Sequence, residues 1–238
     1  MIKILKFIVT LFPDLQLLVI TYLPGGTGQA LRQRYWRNRL RHLGQNVLID
    51  TGVYFQNPRF IHIEDNCWID KGVMILAGVD ESNREKLVID NPNFTGEPGV
   101  VYIGRDVHIG IGCVISGISS GVFISDECCL SPDCKIYAFT HHYRSKTNPS
   151  KRAHFGSMGP SDRQCLILGP VNIGRNTGVA MNSIILAGVS IPNDCFVGIG
   201  SVVKPGLYTP NSLLSGNPAT KIADRFLEKL NDQPLGDF

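Results

Sequence analysis

CLILGPVNIGRNTGVAMNSIILAGVSIPNDCFVGIGSVV (165–203) carries an aliphatic residue at every sixth position: Ile167, Ile173, Val179, Ile185, Ile191, Val197 and Val203. Two residues before each stands a small or slim one: Cys165, Val171, Thr177, Ser183, Val189, Cys195 and Ser201. Residues two apart share one face of an extended strand, so each pair points inward together. Neither a helix, with a period of about 3.6, nor a plain alternating strand repeats every six residues. The spacing predicts an all-β chain folded as a parallel β-helix of hexapeptide repeats, with three hexapeptides to a coil. Successive coils then stack about 4.8 Å apart. Gly174, Pro192 and Gly198 each follow an inward aliphatic, where the chain turns a corner.

The same register runs upstream. Ile49 and Phe55 are six apart, Ile63, Ile69 and Ile75 continue after a slip, and Ile103, Ile109, Ile115 and then Ile124, Leu130, Ile136 follow. Coils are expected to begin near Val47. Two stretches break the period: the polar run 80–99, and the span 137–166, which holds half of the six histidines. A long excursion from a compact repeat points to function or disorder. Three parts follow: 1–46, an apolar segment and a basic helix; 47–215, the β-helix with both insertions; and 216–238, a tail whose IADRFLEKL reads as a capping helix. Terminal caps are expected because an exposed coil end is an unpaired sheet edge.

The register also explains the cysteines. Cys67, Cys113, Cys128, Cys134, Cys165 and Cys195 all fall in the slim inward slot, and Cys129 alone points outward. With no CxxC, zinc is not expected. Reduced cysteines fit a cytoplasmic protein. A net charge of +3 and the lack of a Lys/Arg run interleaved with aromatics set nucleic acid aside.

Residues 1–23, MIKILKFIVTLFPDLQLLVITYL, are apolar but interrupted by Pro13 and Asp14, too broken for a membrane span of about 20 apolar residues. Two readings stand: an interfacial element at the inner face of the cytoplasmic membrane, or a helix packed on the end of the β-helix. PGGTG (24–28) reads as a flexible break, and ALRQRYWRNRLRHLG, with five arginines, as a basic helix with a solvated face.

The repeat, the histidine-bearing insertion and the SGNPA tail together resemble the hexapeptide-repeat acyltransferases, over about residues 47–224. Galactoside, maltose and xenobiotic acetyltransferases are members. The N-terminal arrangement is most similar to bacterial cell-envelope polysaccharide O-acetyltransferases. The resemblance implies a left-handed β-helix, a homotrimer with active sites between subunits, acetyl-CoA as cosubstrate, no metal, and a saccharide acceptor. ISDECCLSPDCKIYAFTH (124–141) matches the coil that ends on the family's catalytic histidine, which makes His141 the general base. By the same resemblance Gly178, Ala180 and Met181 meet the thioester end of CoA. Gly198, Ile199 and Ser201 meet the pantetheine arm, and Lys204 and Lys221 stand near its phosphates. Gly178 replaces a tryptophan of many members and is expected to leave room at the acyl end. His142, Tyr143 and Arg144 are acceptor-binding candidates. Adjacent residues of a strand point oppositely, so only one of His141 and His142 faces the cleft.

Acyl transfer from a thioester needs a base near neutral pH, which histidine supplies, and an oxyanion donor such as a backbone N–H between Gly178 and Ala180. N-acetylation of an amino sugar or a xenobiotic, and a non-catalytic β-helix scaffold, are the alternatives. A γ-class carbonic anhydrase needs three zinc histidines on neighbouring coils; His62 and His108 show no partners at such spacing.

Overall fold

A computed structural model describes residues 13–227. Three sheets of six, six and eight strands form the sides of a triangular prism, and the chain visits the three sides in turn. Strand pairs within the prism are parallel and in register up to the final strand, as in Ile61↔Val101↔Val122↔Val171 on the first face. The second face stacks Ile49, Ile69, Ile109, Leu130, Val179 and Val197, and the third Phe55, Ile75, Ile115, Ile136, Ile185 and Val203. Every one of these is buried.

The slim slot has its own chemistry. Cys67 donates to the Gly104 carbonyl (3.0 Å), Cys128 to Gly174 (3.2 Å), Ser183 to Gly198 (2.9 Å) and Thr177 to Pro192 (3.2 Å). A short thiol or hydroxyl therefore fills the corner and satisfies the carbonyl of the turn stacked against it, which a buried acceptor requires. Cys129 is exposed and the other six cysteines are buried, as the register predicts.

Several expectations need correction. Cys165 and Ile167 keep the six-residue spacing but leave the prism. Cys165–Leu168 pairs instead with Phe139–His142 and Glu85–Val88. The chain returns at Gly169, whose amide donates to the Ala138 carbonyl (2.9 Å), so the inward run starts at Val171. Coils begin at His42–Leu43, before Val47. PGGTG breaks the chain only at its start: Leu23 and Pro24 separate the helix over 13–22 from Gly25–Arg37, and the glycines themselves are helical. Glycine is needed at 28 because a Cβ there would lie 1.8 Å from the Leu23 carbonyl oxygen. Ala219–Asp224 is a strand, antiparallel to Ser212–Gly216, so 222–224 of the expected capping helix extend the second face; the rest from 228 lies outside the described residues.

The basic helix is not uniformly solvated. Trp36 packs edge-on against Phe55 (4.9 Å) and closes the first coil. Arg32 is buried and donates to the carbonyls of Ile20 (3.2 Å), Leu23 (2.7 Å) and Ile49 (2.7 Å). It thereby caps the end of a helix over 13–22 and ties it to the second face. Burial pushes its pKa down, opposed by the Asp50 charge. Arg32→Met should cost about 2–3 kcal/mol, since it strands three carbonyls, and lower the Tm by several degrees in a thermal melt. An unchanged Tm removes Arg32 as the clasp.

Candidate active site

The two insertions meet. Glu85–Val88 from the first, and Phe139–His142 and Cys165–Leu168 from the second, form a three-stranded side sheet off the prism. Both leave from the edge between the third and first faces, after Leu76 and Tyr137 respectively. The short apolar run CLIL is the sequence signal that points to a strand here; EKLV offers none, since its polar pair precedes its apolar pair and only its burial alternates.

His141 sits on the strand of this sheet that borders the 143–164 loop, opposite Leu166. Phe139 and Phe155 flank its ring at 6.3 and 6.0 Å, the second edge-on. Its Nε2 is buried and has no hydrogen-bond partner among the described residues. His142 does face the other way. Its Nδ1 lies against the Arg144 carbonyl, its ring stacks on Tyr143 at 4.5 Å, and the Arg144 guanidinium lies 5.4 Å from the Tyr143 ring centre. The three acceptor-binding candidates thus form one stacked set, with Tyr143 and Arg144 exposed and His142 half-buried.

Glu85 holds the loop that carries them. The Ser145 hydroxyl, the Thr147 and Lys146 amides and the Thr147 hydroxyl hold its carboxyl down at about 2. The amides of Lys146 and Thr147 donate to it at 2.8 and 2.9 Å. A depressed carboxylate stabilises the fold above its ordinary pKa and loses that contribution as pH falls through the folded value, here between about 4.5 and about 2. Glu85→Gln should lower the protection of the 145–148 amides against exchange at neutral pH, relative to their intrinsic rates, and abolish the loss of protection on acidification. Equal exchange in both proteins refutes the clasp.

The cofactor candidates only partly converge. Ala180, Met181, Gly198, Ile199 and Ser201 follow one edge, between the second and third faces. Ala180 and Ser201 are buried, while Met181 and Ile199 are exposed apolar side chains. The turns stack, with the Gly200 amide donating to the Met181 carbonyl (2.9 Å). Gly178 stands on the second face beside this edge, but it does not leave open room. A Cβ there would meet the Phe196 ring at 2.7 Å. Lys204 lies at the opposite margin of the third face, after Val202–Val203. Lys221 is on the added final strand, its Nζ 2.6 Å from Asp224. These two lysines are not brought to the 180/199 edge along the described chain.

His141 and the 180/199 edge lie at different corners of the prism. One copy does not place the histidine beside the residues assigned to the thioester.

The sequence reading leaves His62 without a neighbour, yet His42 stacks on it at 4.5 Å from twenty residues before. Their ring planes differ by 29°, so the nitrogen lone pairs run side by side, and His62 Nε2 pairs with Glu64 at 2.9 Å.

No protein-family model matches the chain, and no curated protein matches it. Solved structures do. A variant of AntD, an N-acyltransferase from Bacillus cereus, in complex with dTDP and coenzyme A, is 24% identical with TM-score 0.66, over 82% of this chain and 89% of that one. A maltose O-acetyltransferase from Clostridium difficile 630 is 18% identical with TM-score 0.51, over 90% of this chain and 84% of that one. A hexapeptide-repeat containing acetyltransferase from Vibrio cholerae gives the same identity and TM-score, over 90% and 88%. The three share the stacked-coil architecture built above from the six-residue register, and the fold of this chain is therefore a left-handed parallel β-helix.

Proposed function

We propose that this chain is an acyltransferase that uses acetyl-CoA to acetylate a hydroxyl of a cell-envelope saccharide or its lipid-linked precursor. His141 acts as general base and the acyl group passes directly to the acceptor. The observation that carries this reading is the buried, partnerless Nε2 of His141. A buried imidazole nitrogen without a partner is costly, and two insertions are folded together to hold it there. An acceptor hydroxyl is the group that would satisfy it. The 180/199 edge offers turn amides and exposed Met181 and Ile199 to a pantetheine arm. Because the two parts stand at different corners, the working site is formed between copies, in keeping with a homotrimer. CoA in the AntD structures supports the choice of donor.

A second reading, N-acylation of an amino sugar, is favoured by the AntD structure that holds dTDP-4-amino-4,6-dideoxyglucose with coenzyme A. Thiol release from acetyl-CoA, followed with hydroxyl-only and amino-sugar acceptors in parallel, separates the two. Release with neither, and no binding of CoA, removes both and leaves the scaffold reading.

The helix over 13–22 exposes Leu15, Leu17, Leu18, Val19 and Tyr22. No helix among the described residues is long and apolar enough to cross a membrane. We propose that this face lies in the membrane surface, with Arg34, Arg37 and Arg39 available to anionic lipid; residues 1–12 lie outside the described structure. Leu15→Glu with Leu18→Glu should abolish co-sedimentation with anionic phospholipid vesicles and leave the Tm unchanged. Undiminished sedimentation refutes the assignment.

A further inference from the structure

The outward side of the second face carries a second constellation. Its column runs Trp68, His108, Cys129, Gly178 and Phe196, each one rung above the last. His108 Nε2 lies 3.0 Å from Asp70 Oδ2, and His108 Nδ1 lies 3.9 Å from Cys129 Sγ. Asp70 is well covered, at 16% side-chain exposure, while His108 is 43% exposed. The Trp68 ring, 5.2 Å from the imidazole, supports it from the rung below.

These contacts fix the tautomer. An ionised carboxylate only accepts, so Nε2 carries the proton that it donates to Asp70. Nδ1 then keeps its lone pair, directed at the thiol. Nucleophile, base and orienting carboxylate stand in the sequence of contacts that nucleophilic catalysis uses. Burial, then the neighbouring Cys134 and Asp70, push the Cys129 thiol up. The sulfur is therefore protonated at rest and relies on a base to react. On the side away from His108 the next residue is Gly178, over which the Phe196 ring lies, so the thiol is bordered there by an apolar ring.

We propose that Cys129, with His108 as its base and Asp70 as the positioning residue behind it, is a nucleophilic site that takes an acyl group from a thioester. The Cys129 proton passes to His108 Nδ1 as sulfur attacks the thioester carbonyl. The carbonyl carbon–sulfur bond of the donor then breaks, and the departing thiolate takes the proton from Nδ1. The products are the Cys129 thioester and the free donor thiol, with no oxidant or reductant involved. The choice of acetyl-CoA as donor rests on the function proposed above; the reactivity of the thiol does not.

Two measurements on the intact chain test this. The first is alkylation by iodoacetamide, read by intact mass. Cys129 is the one exposed cysteine of seven, so a single adduct is expected, absent in Cys129→Ser. The groups facing Cys129 are His108, Asp70 and Cys134, with none from the Gly178 strand. His108→Gln should slow alkylation at neutral pH by about 10²-fold, the worth of a positioned base, and leave only the alkaline thiolate limb. Asp70→Asn should change the pH profile without changing the number of thiols labelled. The second is acid-quenched incubation with acetyl-CoA and, separately, with S-acetyl-N-acetylcysteamine, a thioester that needs no CoA site. One acetyl on Cys129 from both donors supports the site. Acetylation by the small thioester alone also supports it, and counts instead against acetyl-CoA as this chain's donor. Alkylation that is indifferent to His108→Gln, or no acetyl adduct from either donor, overturns the proposal.

Discussion

His141→Ala lowers turnover by about 10²-fold or more, the usual worth of a positioned general base, while the Tm and the affinity for CoA stay as they were. The side chain lies on the side sheet, outside the inward stack that holds the prism together. Removing it takes away an unsatisfied nitrogen, not a core contact. The limb of the kcat/KM profile that reports protonation of an imidazole disappears with it. His142→Ala acts instead on acceptor KM, because His142 stacks with Tyr143 on the opposite side of the strand. Steady-state kinetics of both variants across pH decide the matter. A dead His142 variant beside an active His141 variant would reverse the assignment, and two active variants would return the chain to the scaffold reading.

The second large effect concerns where the site is made. Ile199→Asp places a carboxylate on the exposed 180/199 edge and should raise the acetyl-CoA KM about tenfold, equivalent to about 1.4 kcal/mol. His141→Ala damages the other half. If each site combines the histidine of one copy with the edge of its neighbour, co-expressed variants form assemblies in which some sites inherit both intact halves. For random mixing in a closed ring that share is about a quarter. Purification through two different tags keeps only the mixed rings, and in a mixed trimer one site in three is intact, so these assemblies should recover about a third of wild-type kcat/KM at low acetyl-CoA. A site formed within one copy predicts no recovery, since every subunit then carries one damaged half.

The prism was legible because its register is a steric rule. One slim and one aliphatic residue must point inward on each strand, and six successive hexapeptides from Val171 to Val203 state it. That rule also placed Cys129 outside before any coordinates did. It misled at Cys165 and Ile167, where the spacing carries on by coincidence through a strand that belongs elsewhere. PGGTG was misread because glycine's intrinsic flexibility outweighed a contact the sequence does not display, the approach of Gly28 to the Leu23 carbonyl. The space expected at Gly178 is taken by Phe196, a neighbour eighteen residues on that becomes adjacent only when coils stack. The coil that ends on His141 is legible in sequence, and the role given to that residue is the proposal made above. The pairing of the two insertions, Glu85's hold on the 145–148 loop and the Asp70–His108–Cys129 set all join residues from different coils or insertions, which no local pattern displays.

The side sheet has a consequence for the order in which the molecule comes together. Within the prism, neighbouring rungs join positions as close as Asn172 and Ser190, eighteen apart. The side sheet joins Glu85 to Cys165, eighty apart. Closing the longer loop costs about 1 kcal/mol more in chain entropy. Coils without an insertion therefore zip up locally, one upon the next, and Glu85–Val88 finds its place only after Cys165–Leu168 has been delivered from the second insertion. The pairing of Glu85–Val88 with Cys165–Leu168 spans the most chain of any in the molecule's described sheets, so the prism is built first and the side sheet completed last. On the way to unfolding, that sheet is the first to come loose.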